Sequence, residues 1–186
     1  MNTFNIYSIE NAPAQSKPVL LTLKDLFGFV PNIAAAMAGS PTLIKGFVGL
    51  FQSVHAGTFN EAEIQTVLLT NAVTNSSTWA VAFHSALALK QGVDAADVAA
   101  IREGKNPKTP RLAAVSSLAR NLIQSRGNVK QQVIEEFVGS GYKAEQVLEL
   151  ISIVAASTIT NYVGNVTQPP LEAAFQVHQW APSSNS

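Results

Sequence analysis

From Leu21 to Trp180 the chain reads as one helix after another, and that succession constrains the fold more than any single motif. Leu21 to Phe29 reads as a short helical turn, and Ile33 to Ala38 as a short helix ended by Gly39. Ser40 with Pro41 is a cap followed by a first-turn proline; Leu43, Phe47, Leu50, Phe51 and Val54 then recur at helical spacing until Gly57. Asn60 with Glu63 makes a capping-box pattern ahead of Ile64, Val67, Leu68 and Ala72. A helix after Asn75 ends near Gln91-Gly92, and Asp94 caps a short one running through Ile101 to Gly104. Pro110 opens a helix stopped by Gly127, and Lys130 to Val138 is another. Lys143 to about Val166 is the longest, ended by Pro169-Pro170, with a short terminal helix within Leu171 to Trp180. No segment sustains the two-residue alternation of a strand, so the expected class is all-α.

Composition narrows the partners. At 186 residues and 47% apolar, the chain supports one globular domain. Charged residues are only 13%, against the ~25% of an average domain. So bland a surface predicts that part of it is covered by further copies of the chain, a homo-oligomer. Twelve basic and twelve acidic side chains balance, which argues against nucleic acid as a partner. The first ten residues lack a cationic start and an apolar stretch, so no signal peptide is expected. The apolar run Val147 to Val163 is broken by Glu149, Ser152, Thr160 and Asn161 and reads as too short and too polar to span a membrane. The expected location is cytoplasmic. The expected organisation is an N-terminal arm over 1–20, a helical domain over 21–176 and a tail over 177–186 ending in a disordered Ser/Asn segment.

The stretch Asn75-Ser76-Ser77-Thr78-Trp79-Ala80-Val81-Ala82-Phe83-His84 resembles the catalytic helix of the alkylhydroperoxidase D-like (carboxymuconolactone decarboxylase) family. So do the entry Phe27-Gly28-Phe29-Val30-Pro31-Asn32, the run Pro110-Arg111-Leu112-Ala113-Ala114 and the late Thr160-Asn161-Tyr162, in that order. The entry segment is similar to that of the peroxidase-related branch. The resemblance covers roughly residues 21–175 and implies an AhpD-like multi-helix bundle. It also implies a Cys-x-x-Cys pair with a following histidine and a preceding glutamate. In this chain the two cysteine positions are Ser77 and Ala80, the glutamate position is Gln65, and His84 alone is kept.

That replacement removes the family's thiol chemistry. A peroxidatic cysteine acts as a thiolate and a second cysteine resolves its sulfenic acid. Serine and alanine do neither, and glutamine does not exchange a proton near neutrality. No residue of the chain is cysteine. Thiol peroxidase activity of the peroxiredoxin-like kind is therefore not expected.

His84 is the candidate catalytic residue that remains. Ser77 does not reach it as a nucleophile, because seven residues of helix rise separate them by about 10 Å. Ser76 and Ser77 read as capping residues. Trp79, Asn161 and Asn165 are pocket candidates, with Trp79 either filling the vacated site or meeting an interface, and the two asparagines, one turn apart, either facing the cavity of His84 or making a polar contact between helices. His55 reads as a structural residue at a helix C-terminus. No histidine or carboxylate shows metal-ligand spacing, so neither metal nor cofactor is expected. The expected function is a non-redox relative that binds a small apolar or carbonyl-bearing molecule. The alternative is a non-redox enzyme, using decarboxylase or lactone-type acid/base chemistry at His84. An arginine beside His84, drawn from Arg102, Arg111, Arg120 or Arg126, would favour the second.

Overall fold

The computed structural model describes residues 3–182. Nine α-helices lie among them: α1 (Lys17–Phe27), α2 (Asn32–Met37), α3 (Pro41–His55), α4 (Glu61–Thr74), α5 (Thr78–Lys90), α6 (Ala95–Arg102), α7 (Pro110–Gln124), α8 (Gln131–Gly139) and α9 (Glu145–Thr167). A 3₁₀ segment, Ala173–His178, closes the chain, and no strand occurs among the described residues. The class is all-α.

The capping signals are realised as hydrogen bonds. Leu43 N donates to Ser40 Oγ at 3.3 Å, and Ala96 N to Asp94 Oδ1 at 2.7 Å. At α4 both halves of the capping box form: Glu63 N donates to Asn60 Oδ1, and Asn60 N to Glu63 Oε2.

Helix α4 is the axis of the molecule and packs against α5, α6, α7 and α9. Every residue from Glu63 to Ala72 is buried, as is every residue from Trp79 to Ser85 on α5. Helices covered on all sides carry no polar stripe. Their buried polar groups must therefore find partners inside the protein. Thr70 Oγ1 and Ser116 Oγ meet at 2.8 Å, and Asn71 Nδ2 donates to Val154 O at 3.0 Å. Glu63, 3% exposed, accepts from Arg111 Nη2 at 2.9 Å and from the Tyr142 hydroxyl at 2.7 Å. Its carboxylate thus ties α4 to α7 and to the loop before α9. One apolar core gathers around α1–α3, α5 and α6; a second lies between α4, α7, α8 and α9.

Two expected boundaries shift. Helix α1 starts at Lys17, four residues before the expected Leu21, because Pro18 sits in its first turn, where a missing N–H costs nothing. The preceding arm packs on its own chain: Tyr7 N donates to Ala35 O, and Ser16 Oγ to Ala38 O at 2.8 Å. Helix α9 runs 23 residues and extends beyond the run Val147 to Val163 at both ends; a length and composition that would cross a membrane are also those of a core helix. It packs here against α2, α3, α4, α5 and α7. The boundary at 176/177 falls inside the 3₁₀ segment, which Arg102 pins by donating to the carbonyls of His178 and Gln179. The expected disordered Ser/Asn segment lies outside the described residues from 183 onward.

Candidate functional site

The site is built where α4 and α5 meet. Three residues, Asn75 to Ser77, join the two helices, and Ser76 takes a positive φ of 53° to make the turn. Ser77 is the N-cap of α5, yet its side chain caps nothing; its buried Oγ has no hydrogen-bond partner among the described residues. It rests against α9, 3.2 Å from where a Cβ on Gly164 would stand. Ala80, fully buried, lies one turn into α5, and His84 one turn beyond.

His84 Nδ1 lies 3.0 Å from Gln65 Oε1. With the amide oxygen accepting, Nδ1 carries the proton and Nε2 keeps its lone pair. Nε2 has no partner among the described residues. The ring is 7% exposed. Burial, with a smaller push from His55, lowers its pKa from 6.5 to about 3. The imidazole is therefore neutral at ordinary pH.

Two cavities share a wall at this residue. The inner one, about 50 Å³, is apolar apart from His84, Ser157 and Thr160. Trp79 lines it and stacks on Phe83 with centroids 4.8 Å apart; its Nε1 donates to Glu172 Oε2 at 3.0 Å. The outer one is an open groove of about 440 Å³ bordered by Gln52, His55, Glu61, Gln65, Lys90 and Gln91. Phe27, Phe51, Phe83 and His84 border both. His55 Nδ1 and Glu61 Oε1 pair across the groove at 2.7 Å, and the His55 ring packs 4.3 Å from that of Phe51.

The expected residues divide accordingly. Gln65, Trp79 and His84 come together at the cavities, whereas Ser77 and Ala80 line neither. Asn161 is fully buried with Oδ1 unpartnered, but it lines neither space, and Asn165 is exposed and donates to Asn75 O at 2.9 Å. Ser157 and Thr160, on the adjoining face of α9, occupy the His84 wall, while Asn165 makes a polar contact to the α4–α5 connection and borders a separate surface pocket with Trp79. No arginine lines either space. Arg102 bonds Ser85 and the carbonyls of His178 and Gln179, Arg111 bonds Glu63, and Arg120 bonds Asn106. Glu172, which also accepts from Asn32 N at 2.6 Å, was not singled out in the sequence; a lone acid after two prolines carries no periodic signal.

No protein-family model matches the chain, and no curated protein does. Solved structures do. The alkylhydroperoxidase AhpD core of an uncharacterized peroxidase-related protein from Ralstonia eutropha JMP134 aligns over 97% of each chain, with 17% identity and a TM-score of 0.82. The debrominase Bmp8 aligns over 89% of this chain and 90% of its own, at 20% identity and a TM-score of 0.74. An uncharacterized peroxidase-related protein from Silicibacter sp. TM1040 aligns over 93% and 92%, at 13% identity and a TM-score of 0.73. At these identities the likeness is one of fold, and the fold is AhpD-like.

Proposed function

We propose that this AhpD-fold chain binds a small apolar molecule beside His84 and performs no thiol chemistry. The observation that carries the reading is the inner cavity, an aromatic-lined space closed on one side by a neutral, hydrogen-bonded histidine. Apolar walls with one convergent polar group are the usual make-up of a small-molecule site. The bare Nε2 accepts a hydrogen bond from a ligand O–H or N–H. A carbonyl-bearing ligand needs the other tautomer, which Gln65 serves by turning its NH₂ toward Nδ1. A cysteine-to-alanine variant of the debrominase Bmp8 is known in complex with 2,3,4-tribromopyrrole, a compact apolar ring with one N–H, which supports this ligand class for the fold.

Two features weigh against the acid/base alternative. A histidine held at a pKa of about 3 is a weak base at neutral pH, far from the matched value that general catalysis favours. A lactone acid or other carboxylate would also find no arginine in the cavity or the groove.

The same reading includes self-association. Leu148, Ile151, Tyr162 and Val166 are exposed at helical spacing on the outer face of α9, an unpartnered apolar stripe along most of its length. Sedimentation velocity tests it, with a species larger than 19.7 kDa expected.

Ligand binding is tested by fluorescence of Trp79 in a Trp180→Phe background, with bromoethane as a small apolar heavy-atom quencher. Saturable quenching is expected, together with its loss in Ala156→Val, which adds methyl groups at the cavity wall. Quenching that never saturates, and is indifferent to Ala156→Val, contradicts the reading. Peroxide reduction is expected at background rate.

A further inference from the structure

The inner cavity alone is too small for most metabolites: an apolar cavity of about 150 Å³ is what holds benzene. The groove on the other side of the shared wall has about 440 Å³, and ordinary ligand sites occupy roughly 300–1,000 Å³. The side chains of Phe27, Phe51, Phe83 and His84 line both spaces. Phe27 stands 6.0 Å from Phe51 and 6.0 Å from Phe83, centroid to centroid, so these rings pack against one another along the shared wall.

The four wall residues differ in exposure. Phe83 is 5% exposed, stacked on Trp79 and edge-on to Phe175 at 5.0 Å, and His84 is tied to Gln65. Phe27 and Phe51 are half-buried and reach the groove; Phe27 also meets Phe29 at 6.4 Å, and Phe51 meets Phe47 at 5.9 Å and His55 at 4.3 Å. Phe27 is the last residue of α1, followed by Gly28 at φ 79°, and the chief helix partner of α1 is α3, which carries Phe51.

We infer that cavity and groove are two halves of one site, gated by Phe27 and Phe51, whose ligand is a short amphiphile with an uncharged hydrogen-bonding head. The inference rests on the function proposed above and specifies its ligand. The apolar end lies past the phenylalanines beside Trp79. The head stays in the groove, where Gln52, Gln65 and Gln91 each offer a donor and an acceptor. The groove carries one acid, Glu61, which pairs with His55, and one lysine, Lys90, whose charge balances it, which favours a hydroxyl or amide head over an ion.

The test compares bromoethane, bromobenzene and para-bromophenol as quenchers of Trp79, by stopped flow, in the Trp180→Phe protein. Phe51→Ala removes part of the gate. Gln52→Phe narrows the groove from an exposed helix position outside the inner cavity and adds no second tryptophan. The expected result is several-fold tighter binding of para-bromophenol than of bromobenzene, with association several-fold faster in Phe51→Ala and several-fold slower in Gln52→Phe. Circular dichroism and melting verify the fold of each variant; should Phe51→Ala not fold, Phe51→Leu and Gln52→Phe still decide the matter. If bromoethane saturates but para-bromophenol has the same rates in every folded variant, or binds no better than bromobenzene, the two-part site is overturned and the small-ligand reading stands. If no probe saturates in any variant, both fall.

Discussion

His84 Nδ1 and Gln65 Oε1 meet at 3.0 Å, a neutral hydrogen bond between the two central helices. Its neutrality follows from burial, since an imidazolium here would lose its hydration and find only an amide in return.

Stability should therefore depend on pH through His84. Its folded pKa, about 3, lies below the ordinary 6.5. Between those values the unfolded chain holds a proton that the folded chain does not, so stability falls as pH drops through that window. Above pH 6.5 this group contributes no slope. Between pH 7 and pH 4 the effect is on the order of 3 kcal/mol. Urea unfolding at pH 7 and pH 4 measures it, and His84→Gln should flatten the difference. An unchanged difference in that variant would assign the acid sensitivity to other groups.

Changing Gln65 separates its hydrogen bond from its charge. Gln65→Leu leaves a buried imidazole N–H without an acceptor and should cost about 1–3 kcal/mol. Gln65→Glu places a carboxylate at the same distance, which favours the imidazolium and raises the pKa of His84. Imidazole resonances of His84 that begin to titrate only in the glutamate variant would show this by NMR; a silent ring in both would contradict it.

The α5 N-terminus should behave unlike an ordinary cap. Ser77→Ala is expected to leave stability unchanged or slightly higher, because the Oγ it removes is buried and unpartnered. Asn60→Ala, which breaks the capping box of α4, should cost about 1 kcal/mol. Gly164→Ala should gain helix propensity but meet Ser77 Oγ at 3.2 Å. A double-mutant cycle in urea should then show Gly164→Ala to be more favourable in the Ser77→Ala background. Strict additivity would place the contact elsewhere.

Restoring the thiols should not restore peroxide turnover. The triple variant Ser77→Cys, Ala80→Cys, Gln65→Glu would put sulfur at two fully buried positions that line neither cavity nor groove. A thiolate there has no route to peroxide. An NADH-coupled peroxidase assay with a thiol reductant is expected to stay at background, and measurable turnover would show that the enclosure opens.

The sequence by itself determined the helices, their order and most of their ends. Ser40-Pro41, Asn60 with Glu63, Asp94 and Pro110 act through hydrogen bonds or φ restrictions within a few residues of themselves, so they are legible without a fold. The absence of cysteine, and with it the loss of thiol chemistry, is likewise a fact of composition. Residues 65, 77, 80 and 84 were legible as a group through the resemblance, but not which of them would face open space. That depended on the angle at which α9 crosses α5: it turns Ser157 and Thr160 to the cavity, sets Gly164 on Ser77, and leaves Asn165 at the surface. Helices α4 and α5 are buried all round, so periodicity could not distinguish a face lining a cavity from one packed solid. The phenylalanine wall joins residues from α1, α3 and α5, and Glu172 reaches Trp79 across ninety-three positions of chain. Such contacts are set by packing between distant segments, which tertiary structure alone decides.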